Sequence, residues 1–271
     1  VRMTSTWHCW VQVHRLMEIM WLRKPPGIRI KAICDIWAQY NQRRTSLLLQ
    51  RNNHTHNVYE DYRAMLDKGK GNLDAVIVAT PDHWHVPAAN MALKSGKDVY
   101  VEKPLGLTVA QNLEIRKLVK QHSRVFQYGT QQRSMAHCRA ACEIVRAGKI
   151  GKIHTLHVDA PSGGAGGSVQ EVPVPEGLNF DLWLGPAPVT PYTADRCKTP
   201  GTYWIYDYSI GYLGGWGAHP LDLLVWACDC DLAGPVTFEG TGVISKDGLY
   251  DTVYNWDMKI EMADGVKMTF K

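Results

Sequence analysis

The clearest signal of the fold lies in the stretch Leu73-Asp-Ala-Val-Ile-Val-Ala-Thr-Pro-Asp-His-Trp-His85. Its first part is an apolar run rich in β-branched residues, and Pro81 closes it. Such a run is typical of a strand in a parallel sheet that is covered on both faces. We therefore predict a strand at 73–80, a helix from about Val86, and the next strand at 98–102.

The neighbouring segments continue this alternation. We predict a strand at 28–34, a helix with a connection at 35–70, a helix at 108–119 and a strand at 125–128. Thr108 and Gln111 have the spacing of a capping box, which marks a helix start. Apolar residues recur at helical spacing from Thr6 to Met20, which predicts a helix behind a very short strand at 1–3. Strands that alternate with helices are typical of a doubly wound, Rossmann-type parallel sheet.

The pattern changes after residue 130. Helices are predicted at 134–148 and from Pro220, and strands at 153–159, 236–244, 253–262 and 266–271. The glycine-rich segment 161–168 is expected to be flexible. Strands without helices between them predict a helix-backed, mostly antiparallel open sheet, an α+β domain. We expect a Rossmann domain at 1–130 and an α+β domain at 131–271, incomplete at its C-terminus because the last strand meets the chain end.

The composition argues against several classes of protein. Of the 271 residues, 45% are hydrophobic and 21% charged, which is ordinary for a soluble globular protein. The net charge of +4 comes from scattered lysines and arginines, so nucleic acid is not an expected partner. No apolar run approaches the roughly 18 residues of a membrane span, and no leader pattern is seen. The seven cysteines form no pair of Cys-x-x-Cys clips, which favours structural thiols over a metal site.

Polar residues follow the predicted strands at their carboxyl ends, where a doubly wound sheet binds a dinucleotide. Asp35 can accept hydrogen bonds from a ribose diol and repel a 2'-phosphate, or it can cap the following helix. Thr80, Pro81, His83 and His85 follow the next strand, and either histidine can instead be a surface residue.

Glu102, Lys103 and Pro104 end the strand at 98–102. A solvated ion pair is the simpler interpretation of this motif taken alone. Alternatively, Lys103 lies in the cofactor crevice, where it can hydrogen-bond a substrate hydroxyl and assist its deprotonation.

Together these motifs resemble the glucose-fructose oxidoreductase / inositol dehydrogenase (Gfo/Idh/MocA) family over nearly the whole chain. Six blocks in the family's order carry the resemblance: Ala79-Thr-Pro-Asp-His-Trp-His85, Glu102-Lys-Pro104, Tyr128-Gly-Thr-Gln-Gln-Arg133, Glu143-Ile-Val-Arg-Ala-Gly-Lys-Ile-Gly151, Asp181-Leu-Trp-Leu-Gly-Pro186 and Gly215-Trp-Gly-Ala-His-Pro-Leu-Asp222. Any one block would be a weak signal, whereas six are a strong one.

The resemblance implies an NAD(P)-dependent oxidoreductase that acts on CH–OH groups of a sugar, cyclitol or glycoside. By resemblance, Lys103 contacts the nicotinamide ribose and the reacting hydroxyl, and His219 accepts the hydroxyl proton. An imidazole, with an ordinary pKa near 6.5, is suited to this task. Asp222, one helical turn further on, could orient His219.

Two residue sets follow from these arguments. The expected cofactor-binding residues are Asp35, Thr80, Pro81, His83, His85, Glu102, Lys103 and Gln131. The expected substrate-binding residues are Lys103, Arg133, Trp183, Tyr206, Asp207 and His219. Aromatic clusters are more often core than sugar platforms, so the tryptophan and tyrosine assignments have that alternative. Asp35 favours NAD, and NADP is the alternative because Arg43 and Arg44 could offset its charge.

The sequence departs from the family pattern at two places. The family often has an aspartate four residues before the histidine, and here that position is Gly215. Tyr206, Asp207, Tyr208 and Tyr212 are candidates to replace it. The family also has a Gly-x-Gly-x-x-Gly turn after the first strand, but no glycine precedes Gly27. We expect either that a segment between Met3 and Trp7 is missing from this sequence or that cofactor affinity is poor.

Three functions compete at this stage. The leading hypothesis is a sugar or polyol dehydrogenase. An NAD-dependent glycosidase that uses a retained cofactor in a redox cycle is a second, and a non-catalytic sugar-binding relative is a third. The expected partners are a carbohydrate substrate and copies of the same chain, as a dimer or tetramer through the C-terminal sheet. The expected location is the cytoplasm, with export to the periplasm by the twin-arginine route as the alternative.

Overall fold

The computed structural model describes residues 7–11, 27–229 and 236–271. It divides into two compact units. The first unit holds the described residues up to Gly129 together with residues 171–193, which we call the strap. The second unit holds residues 130–170 and the described residues from Ala194 onward. The boundary predicted at residue 130 assigns the strap to the second domain, whereas in the structure it clusters with the first unit.

A six-stranded parallel sheet forms the first unit. Its strands are β1 (Trp7–Val11), β2 (Ala32–Cys34), β3 (Asn57–Tyr59), β4 (Ala75–Ala79), β5 (Asp98–Glu102) and β6 (Phe126–Gly129). They lie in the order β3-β2-β1-β4-β5-β6, and each neighbouring pair is parallel. This is the doubly wound order, so the predicted Rossmann-type sheet is confirmed.

Both faces of this sheet are buried beneath helices. The helices are α1 (Arg43–Arg51), α2 (Tyr62–Lys68), α3 (Asp82–Lys94) and α4 (Val109–His122), and a short π-helix at Ala38–Gln42 precedes α1. Val78 of β4 belongs to a buried cluster with Leu93, while its neighbour Ile77 packs in another with Ile33 and Leu49. Successive residues of a strand point to opposite faces, so the apolar run of β4 serves two cores.

The helix predicted from Thr6 to Met20 is wrong over Trp7–Val11. These five residues form β1, which pairs with β2 on one side and with β4 on the other. Pairing with two neighbouring strands satisfies the backbone along both edges, and this tertiary gain outweighs the helical spacing of the apolar residues. Residues 12–20 of the predicted helix and the predicted strand at 1–3 lie outside the described residues.

Two further differences concern the first unit. The predicted connection at 35–70 contains β3, an edge strand of three residues, which is too short to show an alternating pattern in the sequence. Helix α3 begins at Asp82, earlier than predicted, so His83 and His85 lie in its first turns. The predicted cap of α4 is present, because the Thr108 hydroxyl accepts from the Gln111 N–H at 3.1 Å.

The second unit is built on a four-stranded sheet. Its strands are β7 (Thr155–Val158), β8 (Thr237–Ile244), β9 (Val253–Glu261) and β10 (Lys267–Phe270), in the order β7-β10-β9-β8. Only the β7–β10 pair is parallel among these. Helices α5 (Ala136–Arg146), α7 (Gly211–Gly215) and α8 (Ala218–Cys228) belong to this unit, and α6 (Phe180–Leu184) lies in the strap. Leu221 and Leu224 of α8 pack on a core that contains Trp256 and Phe270, which confirms the helix-backed, mostly antiparallel sheet.

The segment 161–168 is not a flexible linker. Its backbone is tied to the second unit through Gly163 N–H to Tyr254 O at 2.7 Å and Tyr250 N–H to Gly166 O at 2.8 Å. A Cβ at Gly164 would lie 2.5 Å from the Trp204 ring. Glycine is therefore needed here for the close approach of backbone to an aromatic ring and does not indicate mobility. Within the described ranges, no helix is long and apolar enough to cross a membrane.

Candidate functional site

Several of the predicted cofactor-binding residues do lie at the carboxyl ends of the parallel strands. Asp35 follows β2, Thr80 follows β4, and Lys103 follows β5. The strand order reverses at β1, which has β2 on one side and β4 on the other. In doubly wound sheets the ligand crevice lies outside the carboxyl ends at such a switch point.

Asp35 is buried and already serves the turn that follows it. It is 8% exposed, and its Oδ1 accepts from Trp37 N–H at 2.9 Å and from Asn41 Nδ2 at 3.2 Å. Burial raises the pKa of this carboxyl to about 7, although the hydrogen bonds from Trp37 and Asn41 oppose the rise. The helix-capping alternative is not realised, because the short helix at Ala38–Gln42 begins behind Trp37 and has no side-chain cap. One oxygen of Asp35 serves the preceding turn instead, and ribose diol hydroxyls would supply the additional donors that a desolvated carboxylate requires.

The buried charge of Asp35 leads to a prediction for Asp35→Asn. The folded-state pKa of Asp35 is raised, so stability is lost as pH rises from about 4 through about 7. Asparagine keeps the Oδ1 acceptor without the charge. We expect the variant to exceed the wild type by a few kcal/mol in unfolding free energy at pH 8 and to converge with it near pH 4, while NAD affinity falls.

Urea denaturation at pH 4, 6 and 8 measures this difference. The exposed Asp74, which precedes β4, provides the matched control as Asp74→Asn. If Asp35→Asn increased the unfolding free energy equally at all three pH values, the buried charge of Asp35 would not be the cause of the gain.

Trp183 lies in the protein interior. It is 3% exposed, and its ring centroid lies 5.3 Å from that of His83 and 5.9 Å from that of Phe180. The predicted stacking of a sugar on Trp183 is therefore wrong, because almost none of its surface is accessible to a ligand. His83 Nε2 donates to Trp183 O at 2.9 Å, as does Trp84 Nε1 at 3.0 Å, so His83 binds the strap.

His85 connects the turns that follow β4 and β5. It is 1% exposed, with Nδ1 2.5 Å from Pro104 O and Nε2 2.9 Å from Thr80 O. These two contacts hold the turn that carries Lys103 against the end of β4.

Glu102 and Lys103 are both buried, each 7% exposed. The Tyr100 hydroxyl approaches Glu102 Oε1 at 3.4 Å. The interpretation of Lys103 and Glu102 as a solvated surface pair is therefore excluded, since neither side chain is in bulk water. A lysine is almost never fully buried unless its ammonium group is paired.

Two predicted cofactor-binding residues carry buried polar atoms without a partner among the residues that the structure describes. These atoms are Thr80 Oγ1 in the first unit and Gln131 Oε1 in the short 3-10 helix Gln131–Ser134 of the second unit. A buried polar atom that lacks a partner destabilises the fold by about 1–3 kcal/mol. The Thr80 hydroxyl, next to the switch point of the sheet, therefore fits a bound dinucleotide that supplies its missing hydrogen bond.

In the second unit, Asp222 binds Arg133. Its two carboxylate oxygens accept from Arg133 Nε and Nη2, each at 2.7 Å, and the guanidinium lies 5.4 Å from the Trp226 ring centroid. The expectation that Asp222 orients His219 stays a prediction, and both carboxylate oxygens of Asp222 already accept hydrogen bonds from arginine in the structure. Arg133 was expected to bind substrate, and this ion pair already engages two of its N–H groups, at Nε and Nη2.

His219 lies in the first turn of α8, preceded by the helix that contains Gly215. A Cβ built on Gly215 meets no atom within 4 Å, so no close contact requires glycine at this position. Tyr208, one candidate replacement, is 0% exposed and accepts from Arg196 Nη1 at 2.9 Å, and burial raises its pKa. Tyr206 is 63% exposed, so it is the more accessible tyrosine.

Two models of one oxidoreductase family match the chain. The model described as the NAD-binding Rossmann fold matches residues 16–130, and the model described as the C-terminal alpha/beta domain matches residues 162–271. The chain belongs to the Gfo/Idh/MocA oxidoreductase family. Its first unit is accordingly an NAD-binding domain of the Rossmann type.

Similarity to individual members of the Gfo/Idh/MocA family is more limited. A glycosyl hydrolase family 109 protein of Shewanella putrefaciens is 36% identical over 93 residues, which are 33% of this chain and 20% of that protein. The match thus spans about a fifth of the length of this curated relative.

Solved structures of dehydrogenases share the fold. The WlbA dehydrogenase of Bordetella pertussis, solved with NADH and UDP-GlcNAcA, has a TM-score of 0.73 at 15% identity over 98% of this chain and 66% of its own. The myo-inositol 2-dehydrogenase of Lactobacillus plantarum has a TM-score of 0.64 at 22% identity over 98% and 69%. At these identities the likeness concerns the fold alone.

Proposed function

We propose that the protein is an NAD-dependent oxidoreductase that moves hydride between a hydroxyl-bearing carbon of a sugar, cyclitol or glycoside and the nicotinamide. Lys103 carries this proposal, because it is a buried cation at the carboxyl end of β5 in a family with an NAD-binding Rossmann fold. We propose Asp35, Thr80 and Lys103 as cofactor contacts in the first unit, and Gln131 in the second. NADP is the alternative cofactor.

The roles of the protein groups follow from their chemistry. The bound nicotinamide supplies the hydride acceptor. Lys103 Nζ donates a hydrogen bond to the reacting hydroxyl and holds that oxygen in place. The His219 imidazole accepts the hydroxyl proton, as the unprotonated ring nitrogen of a histidine can do. His85 joins the backbone after β4 to the turn that carries Lys103, through the carbonyl oxygens of Thr80 and Pro104.

Cofactor titration followed by a substrate survey tests the proposal. NAD binding is measured by fluorescence, and reduction of NAD is then followed with a panel of sugars, cyclitols and glycosides. Binding with net formation of NADH supports a dehydrogenase. Failure to bind NAD or NADP at millimolar concentration would instead support the non-catalytic sugar-binding alternative.

A second candidate is an NAD-dependent glycosidase that keeps its cofactor through a redox cycle. The match to a glycosyl hydrolase family 109 protein is the observation that favours this second candidate. Release of sugar from a glycoside without net formation of NADH would select this function. Accumulation of one NADH per turnover would exclude it.

We also expect a dimer or tetramer that forms through the sheet of the second unit. Every residue of β8 is exposed, and Phe238 is 64% and Ile244 51% exposed. Exposed apolar residues on a long edge strand favour association with another chain. Phe238→Asp should lower the mass in sedimentation equilibrium to that of the monomer, whereas Val189→Asp, at an apolar residue 93% exposed in the strap, should not. A monomeric wild-type protein would refute this expectation.

A further inference from the structure

The strap is a closed loop. Its ends pair through the bridge between Glu171 and Thr193 and the hydrogen bond from Val172 N–H to Tyr192 O at 3.0 Å. Five prolines stiffen it, because each fixes one backbone angle: Pro173, Pro175, Pro186, Pro188 and Pro191. A stiff loop with joined ends moves as one body more readily than it unravels.

One side of the strap binds the residues that follow β2 and β3. Ala38 N–H donates to Gly177 O, and Asn179 N–H donates to Ile36 O, both at 3.0 Å. The Asn179 side chain also donates to Glu60, directly after β3, at 2.6 Å. The backbone bonds make this contact a small piece of antiparallel sheet.

The other side of the strap binds the start of α3, which follows β4. Here His83 and Trp84 donate to Trp183 O, and the Trp183 ring is buried against His83. The two attachment points therefore flank β1, since β1 lies between β2 and β4 in the sheet. The carboxyl end of β1 is the switch point where a doubly wound sheet takes its dinucleotide.

We propose that the strap closes over the dinucleotide at the carboxyl end of β1, so that the cofactor exchanges only when the strap detaches. This inference rests on the proposed function, because it requires NAD to bind in the first unit. Detachment of the strap breaks several hydrogen bonds and exposes Trp183 at the same time. It is therefore a cooperative and infrequent event. The cofactor then leaves slowly compared with its departure from an open crevice.

A reversible crosslink tests this proposal. Trp37 and Leu178 face each other across the antiparallel contact, with the two backbone hydrogen bonds on either side of them. Residues so placed have Cα atoms about 4.5 Å apart, which is within the range for a disulfide. The double variant Trp37→Cys, Leu178→Cys can therefore be closed by oxidation and reopened with reductant.

The double variant is loaded with NADH in the reduced state, oxidised, and mixed with excess NAD while NADH fluorescence reports dissociation. We expect dissociation at least about tenfold slower in the oxidised than in the reduced form, and no NADH uptake by protein that was oxidised while empty. Wild-type protein carried through the same oxidation controls for its own cysteines. Equal dissociation rates in the two redox states would overturn the proposal.

Asn179→Ala provides the opposite test without a crosslink. It removes the bond to Glu60 and the cap that Asn179 Oδ1 provides to Leu182 N–H, so NADH should dissociate several-fold faster. An unchanged rate of NADH dissociation in this variant counts against the proposal that the strap closes over the cofactor. If the wild type binds NADH but neither variant alters its exchange, the strap proposal alone fails. If the wild type binds neither NADH nor NADPH, the proposed function fails and the strap proposal with it.

Discussion

Replacing Lys103 by methionine is expected to lower turnover by about 100- to 10,000-fold, the range that a positioned acid–base group contributes. Methionine keeps much of the apolar stem but has neither the charge nor the donor. Lys103 is 7% exposed, so a buried apolar side chain at this position should leave folding intact. NAD reduction with saturating substrate and thermal unfolding of the same sample measure the two effects.

Lys97 at the other end of the strand is the matched control for Lys103. It lies directly before β5, is 6% exposed, and donates through Nζ to Lys70 O at 2.9 Å and Leu73 O at 2.7 Å. Because these are structural bonds remote from the carboxyl ends, Lys97→Met should lower stability and leave turnover per folded molecule near that of the wild type. If Lys103→Met only destabilised the protein in the same way, Lys103 would have no catalytic role.

His219→Ala is expected to lower turnover by a comparable factor of about 100 to 10,000, because alanine cannot accept the hydroxyl proton. The wild-type rate of oxidation should rise with pH, because a general base accepts a proton only in its unprotonated form, and the variant should lack that rise. Rates from pH 5 to 9 for both proteins measure the difference.

His137 on α5 is the control for His219, since it is an exposed histidine of the same unit. His137→Ala should keep both the rate and its pH dependence. If His219→Ala keeps full activity while Lys103→Met loses it, the proton acceptor is another residue. Tyr206, which is exposed, then becomes the first candidate, because the Tyr208 hydroxyl is bound to Arg196 in the interior.

The sequence predicted an element correctly where the residues of that element alone determine its structure. The apolar run of β4, the cap at Thr108 and the alternating strands β9 and β10 were all predicted. Periodicity was misleading at Trp7–Val11, where apolar spacing suggested a helix. In the structure this segment is paired on both sides by strands distant in sequence, and no window of local residues contains that information.

The same distinction applies to the candidate site. The sequence identified polar residues at the strand ends, whereas only the structure showed which residues they contact. The motifs at 79–85 and 102–104 located polar groups at strand ends, because the carboxyl ends of parallel strands always meet at one edge. The binding of Asp222 to Arg133 joins residues far apart in sequence, and no spacing rule indicates it. The same is true of the contact of Trp183 with His83, which changes a supposed sugar platform into core.

The sequence by itself determined the family, the Rossmann-type class and the residue types available for hydride-transfer chemistry, since these depend on local patterns and on motifs in a given order. Only the tertiary structure decided which side chains remain available. It joined the strap to the first unit, buried Asp35 and Trp183, and bound Asp222 to Arg133. The physical reason is that burial and pairing arise between segments distant along the chain, and these contacts determine whether a polar group faces a ligand or another part of the protein.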